Sequence, residues 1–226
     1  MRQIVIYVEG GGDNSQCRSE IRNGLDALLR KQKQAAQRKN IGWKLVPCGS
    51  RNEARKAFFN RRRQSPPETL VVLVVDSEDG LPAELLHPKK ESLQARRQRL
   101  LADAQTRKGH LVNRDQWELT DIPPDSIHLM VRCMRHGLSR TPRPLRVITD
   151  MTFTKSLPVR TNLEDEPKES LYNKLAKATK DTSKGTYAKI RHASKLLGSI
   201  DPNKVAVRCP RFATFTSWLE ERIGSA

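Results

Sequence analysis

Apolar residues fall along this chain in short runs, separated by charged, glycine-rich and proline-rich stretches. The first run, Gln3 to Val8, is β-branched and nearly continuous, and it stops at Glu9 and three glycines. Such a run reads as a buried strand ending in a tight loop. Ser15 is placed to cap a helix that sets Ile21, Leu25, Leu28 and Leu29 on one face, and the polar stretch 30–40 ends that helix in solvent. Residues 43–46 alternate as a second strand does. Residues 52–63 read as a basic helix that packs through Ala54, Ala57 and Phe58, before Pro66 and Pro67 interrupt the pattern.

The strongest strand signal covers residues 69–75, an unbroken apolar run that leads into Asp76, Ser77, Glu78, Asp79 and Gly80. A continuous run, unlike an alternating one, is expected to be covered on both faces, as central parallel strands are. Residues 93–107 carry Leu93, Leu100, Leu101 and Ala104 at helical spacing, Trp117 follows in a loop, and 127–133 form another strand. From Lys168 onward the pattern is helical in pieces, with Pro202 and Pro210 near helix starts. Strands alternating with helices predict an α/β fold, a mainly parallel sheet flanked by helices. The expected organisation is an α/β core over 1–134, an irregular tract over 135–167, and a helical C-terminal region over 168–226 packed on the core.

Composition then sets the class of partner. Lys and Arg number 42 against 25 acidic residues, a formal charge of +17, which favours a polyanion such as DNA or RNA through phosphate neutralisation. Aromatic residues are only 5%, so a surface that tracks a nucleic-acid backbone is expected rather than one that stacks bases. The longest apolar run, 70–75, is far too short for a membrane span, and residues 1–3 lead into a strand without a secretory pattern. Cys17, Cys48, Cys133 and Cys209 include no CxxC pair, and they read as reduced thiols of a cytoplasmic protein.

The candidate chemistry lies in carboxylates at strand ends. Glu9, with Asp13 four residues on, follows one apolar run; Asp76, Glu78 and Asp79 follow another. In open α/β sheets the functional crevice lies at the carboxyl ends of the strands. If the two strands are neighbours, these groups meet, and their mutual repulsion calls for a positive charge between them. An all-oxygen set suits Mg²⁺ or Mn²⁺, which activates water and stabilises charge on a phosphoryl centre. Gly10, Gly11 and Gly12 would let a phosphate backbone approach closely. Acidic, glycine-rich loops after strands are also ordinary surface features.

Val8-Glu9-Gly10 and Val75-Asp76-Ser77-Glu78 resemble the motifs of the Toprim domain of topoisomerases, bacterial primases and nucleases of the overcoming-lysogenization-defect class. The resemblance implies an early Glu and a later Asp-x-Asp that hold Mg²⁺ for phosphodiester chemistry. Glu9 matches the first; Asp76 and Glu78 match the second, with Glu in place of the final Asp. Glu9 with Asp13 is similar to the Glu-x-x-x-Glu spacing of those nucleases. Most of the chain, through the segments 6–13, 71–79, 128–134, 184–185 and 200–212, resembles a bacterial Toprim-like family known as domain of unknown function 4276. That kinship implies a nuclease working with an ABC/SMC-like ATPase in phage or plasmid defence. Lys184, in a Ser-Lys-Gly-Thr turn of the family-like segment, is a candidate to neutralise a scissile phosphate.

Other candidates carry less. His87, His110, His128, His136 and His192 lack paired metal-ligand spacing and read as structural or solvated. Cys17 has no partner His in a recognised pattern, and no G-x-x-x-x-G-K-[ST] loop is present, so any ATPase is a partner. Arg61-Arg62-Arg63, Arg96-Arg97 and the lysines over 174–195 are candidates for a phosphate-binding face, or simply solvated helix faces. The runner-up function is a non-catalytic nucleic-acid-binding or regulatory subunit.

After Met134 the family pattern of a Glu, a Trp, Ala-Asp-Pro and Tyr-Gly gives way to an Arg- and Pro-rich tract. Under one choice of synonymous codons, a single nucleotide inserted after the Met134 codon yields Met-Glu-Thr-Trp-Leu-Ile-Ala-Asp-Pro-Glu-Ala-Leu-Ala-Ser-Tyr-Tyr-Gly. The hypothesis is that residues 135 to 154 are a frameshifted stretch. The gene sequence is expected to carry codons compatible with that second frame; incompatible codons would overturn it.

Overall fold

Among the residues described by the structure, a computed structural model, four strands form one parallel sheet. The described residues are 1–76, 93–120, 122–123, 126–130, 173, 176–177, 179–180, 186 and 197–226. The strands are β1 (Gln3–Val8), β2 (Gly42–Pro47), β3 (Thr69–Asp76) and β4 (Ile127–Met130), in the order β2-β1-β3-β4. The chain passes from β1 to β2 through α1 (Ser15–Leu28) and α2 (Arg30–Arg38), and from β2 back across β1 to β3 through α3 (Arg51–Gln64). α4 (Leu93–Asp115) precedes β4, and α5 (Pro202–Arg208) and α6 (Pro210–Gly224) form the helical C-terminal region. The expected α/β architecture is therefore present.

The unbroken β3 run is covered on both faces. Val72 and Val74 join Ile4, Ile6, Leu25, Leu28, Phe212, Phe215 and Leu219 in one apolar layer. Val71, Leu73 and Val75 join Ala54, Phe58, Leu111, Trp117 and Ile127 in the other. The period-two alternation of a strand makes this division: odd positions of β3 meet α3 and α4, and even positions meet α1 and the C-terminal helices. Each fully buried Val, Leu or Phe side chain contributes roughly 1.5–3 kcal/mol. Among the described residues β2 and β4 are the outer strands, and each has a carbonyl taken by an arginine, Leu45 by Arg22 Nε (3.1 Å) and Ile127 by Arg107 Nη1 (2.7 Å).

Three local expectations need correction. Asn14, not Ser15, caps α1: its Oδ1 accepts from the N–H groups of Gln16 (2.7 Å) and Cys17 (3.3 Å). The stretch 30–40 does not simply end a helix in solvent. The chain kinks at Leu29 and restarts as α2, burying Ala36 and Gln32, whose amide donates to Glu220 of α6 (3.0 Å). Its buried face was hard to read because its partner lies 188 residues away in the chain. Finally, α4 runs past 107 to Asp115 and buries Leu111. Gly109 weakens the helical pattern there without breaking it.

Pro202 and Pro210 occupy the first turns of α5 and α6, where a missing N–H costs nothing. His128 is buried in β4 against Phe215 and Trp218, with ring centroids 4.8 and 4.4 Å apart. Arg107 Nη1 lies 2.6 Å from its Nδ1. Arginine has no acceptor, so Nδ1 is the accepting atom of this contact.

Candidate functional site

β1 and β3 are hydrogen-bonded neighbours, and the chain leaves them in opposite directions: β1 leads toward β2, and β3 toward β4. That makes their carboxyl ends the switch point of the sheet, where open α/β folds leave a crevice. Glu9 follows β1 directly, and its N–H donates to the Val74 carbonyl (2.9 Å). Asp76 closes β3 with 5% exposure, and its N–H donates to Glu9 Oε2 (3.0 Å). The bond runs from the Asp76 main chain to the Glu9 carboxylate, so the two residues lie side by side at this end of the sheet.

Arg51, which opens α3, is the positive group beside them. Its Nε donates to Glu9 Oε2 (3.2 Å), its Nη1 to Asp115 Oδ2 (2.8 Å), and its Nη2 to the Asp76 carbonyl. Exposure is low throughout, 13% for the side chains of Arg51 and Asp115 and 10% for Glu9. In so shielded a setting, removing one partner leaves a buried charge and costs about 3–5 kcal/mol. One guanidinium therefore fastens the ends of β1, β3 and α4 to the start of α3.

Sequence reading missed Arg51 and Asp115, although a signal existed. Arg51 sits at a helix N-terminus and Asp115 at a helix C-terminus, each charge opposed to the local helix dipole. Two such misplaced charges point to a tertiary partnership. Ser50 and Glu53 flank Arg51 at capping spacing, and Ser50 Oγ accepts from the Glu53 N–H (3.2 Å), fixing where α3 begins.

The glycine loop beside Glu9 is pinned to the chain itself. Gly10 and Gly49 exchange N–H···O bonds of 2.8 Å in both directions, and Arg18 Nε donates to the Gly12 carbonyl (3.0 Å). Gly10, Gly11 and Gly12 all have positive φ (135°, 91° and 56°). A Cβ on Gly11 would meet Arg18 at 3.0 Å, and one on Gly49 would meet the Gly12 carbonyl oxygen at 2.8 Å. Close approach of the chain to itself thus accounts for Gly11 and Gly49, while a Cβ on Gly10 or Gly12 would meet no atom of the described residues within 4 Å.

The other candidates distribute unevenly. Asp13 is exposed in the loop ahead of α1. Glu78, Asp79 and Lys184 lie outside the described residues. Among the described residues no three His, Cys, Asp or Glu side chains are grouped to hold a metal ion. Arg61 Nη2 donates to Gln3 Oε1 (2.8 Å) at the start of β1, so Arg61 to Arg63 sit at the opposite sheet edge, roughly 20 Å from Glu9 at a strand's rise per residue. Cys48 follows β2 and donates to the Val46 carbonyl (3.3 Å); burial pushes its thiol pKa up, so it stays protonated at neutral pH. Cys17, Cys48 and Cys209 are free thiols.

The fold and this edge define an α/β protein with a carboxylate–guanidinium cluster at its switch point. A protein-family comparison matches residues 8–220, nearly the whole chain, to the domain of unknown function DUF4276, and the chain belongs to that family. No curated protein and no solved structure matches it significantly. Among the described residues no helix is long and apolar enough to cross a membrane.

The pinned loop makes a graded prediction. Gly49→Ala is expected to destabilise the protein by about 2–3 kcal/mol, from a positive φ plus a backbone clash. Gly12→Ala, strained only by its φ, is expected to cost about 1–2 kcal/mol. Denaturant unfolding of both variants checks the order; equal losses would contradict the close approach of Gly12 to Gly49.

Proposed function

We propose that this chain is a Toprim-fold, metal-dependent phosphodiester enzyme, a nuclease acting on DNA or RNA with an ABC/SMC-like ATPase partner in phage or plasmid defence. The observation that carries the reading is the direct bond between Glu9 and Asp76 at the switch point. These are the two positions that match the early Glu and the later Asp of the Toprim pattern. The partner and the defence role rest on family kinship alone.

The donor chemistry of the described residues fits a hard cation in kind, since Glu9 and Asp76 offer carboxylate oxygens. It supplies only part of a ligand set, and Glu78, Asp79 and Asp13 are the residues proposed to complete it. Mg²⁺ or Mn²⁺ held there would supply an acidified water and charge stabilisation at phosphorus. The protein's own contribution is placement. The Asp76 N–H fixes Glu9 Oε2, pairing with β4 fixes Asp76, and Gly10 and Gly12, where no described residue would meet a Cβ within 4 Å, are proposed to face a phosphate backbone. Lys184 is proposed to neutralise the phosphate.

A second reading is favoured by one observation: Arg51 already occupies Glu9. A chain whose carboxylates are neutralised internally could serve as a nucleic-acid-binding or regulatory subunit without catalysis, its +17 charge supplying affinity. The Asp76→Asn variant separates the two. The enzyme reading expects Mn²⁺-dependent cleavage of DNA or RNA by the wild type, with saturable Mn²⁺ binding, and loss of both in Asp76→Asn. Salt-sensitive nucleic-acid binding without cleavage, indifferent to Asp76→Asn, would overturn the enzyme in favour of the binder.

A further inference from the structure

The amino-terminal edge of the sheet gathers positive charge from separate segments of the chain. Arg2 lies between the starts of β2 and β3: its carbonyl accepts from the Gly42 N–H (2.9 Å), and its N–H donates to the Glu68 carbonyl (2.8 Å). α2 ends at Arg38, just ahead of Gly42, and Lys39 Nζ donates to the Gly224 carbonyl at the end of α6 (2.8 Å). α3 ends with Arg61, Arg62 and Arg63, and Arg61 holds Gln3 of β1. Over residues 1–3, 38–42, 61–69 and 224–226 six side chains are basic, and Glu68 is the sole acidic one. The carbonyl ends of α2 and α3 answer part of this charge, with about half a negative unit each. They leave most of it uncompensated, and Arg2 belongs to no helix. Arg2, Arg38 and Arg63 are exposed, and no ion pair among the described residues includes them or Arg62. Arg51, at the other edge, is held by two carboxylates.

We propose that this edge is a docking face for the sugar-phosphate backbone of a nucleic acid, with Arg2, Arg38, Arg62 and Arg63 contacting phosphates. The proposal rests on the nucleic-acid reading of the chain, and on neither a metal nor catalysis. The face lies roughly 20 Å from Glu9, at the far ends of the strands. Five of its six cations are arginine, whose planar fork takes two phosphate oxygens at once. The four segments contain no aromatic residue, so the backbone is held without base stacking and without sequence preference. They expose no large apolar side chain either, so an anionic membrane finds no anchor there.

The test is fluorescence anisotropy of a labelled, random-sequence DNA duplex titrated with the full chain at several salt concentrations. Arg2→Gln/Arg63→Gln is compared with a charge-matched control, Lys56→Gln/Arg114→Gln. Lys56 stands seven residues before Arg63 on α3, about 10 Å away, and Arg114 lies beside Asp115 at the opposite edge. At about 0.1 M salt the edge variant is expected to bind at least about tenfold more weakly, its plot of log K against log salt shallower by about two. The control is expected to stay within about threefold of wild type, because exposed charges a Debye length away are screened. Equal losses in the two variants would reduce the effect to net charge and overturn the docking face. Wild-type affinity in Arg2→Gln/Arg63→Gln would overturn it too, while the nucleic-acid reading stands. Absence of duplex binding by the wild type would overturn both. Binding to phosphatidylserine vesicles in place of the duplex, lost in the edge variant, would assign the face to a membrane and overturn the proposal.

Discussion

The guanidinium of Arg51 holds together a corner that the sheet alone would leave as a cluster of like charges. Glu9 and Asp76 are brought side by side by parallel pairing of β1 and β3, and Asp115 arrives from the end of α4. Low exposure raises the cost of that repulsion, because solvent screens it less. A forked cation with donors in one plane is the side chain best shaped to bind two carboxylates and a carbonyl together. Lysine, a point donor on a flexible stem, would not span them.

Everything that delivers these groups follows from how the apolar runs are covered. β3 sends alternate side chains to the two layers, so it must lie between helices, and β1 must lie beside it. The return of α3 across β1 then sets Arg51 beside the end of β1. The Gly10–Gly49 exchange clips the loop after β1 to the loop that leads into α3. Function and packing therefore share the same few loops. The C-terminal helices, nearly 200 residues along the chain, complete the apolar layer beneath that edge through Phe212, Phe215 and Leu219.

How much of this was legible depended on the range of each interaction. The unbroken runs ending in Glu9 and Asp76 announced buried strands and placed both carboxylates at strand ends, because continuous burial leaves its mark within a few residues. The proline starts of α5 and α6 were equally local. α2 was not legible: its buried face is Gln32 and Ala36, which mean little until Glu220 and α6 lie beside them. Asp115 was hidden by a helix read eight residues too short, and Arg51 by lying one residue ahead of the basic helix read over 52–63. Each answers a charge from a distant segment, which periodicity cannot register. Family membership does not fill that gap, since the family is itself described as of unknown function.

The most direct test of the account is a double-mutant cycle on stability with Arg51→Met, Asp115→Asn and the pair together, followed by denaturant unfolding. A coupling energy above about 1.5 kcal/mol is predicted for a shielded, well-aligned pair. Additivity within about 0.5 kcal/mol, the behaviour of independent sites, would contradict the claim that Arg51 ties this corner together.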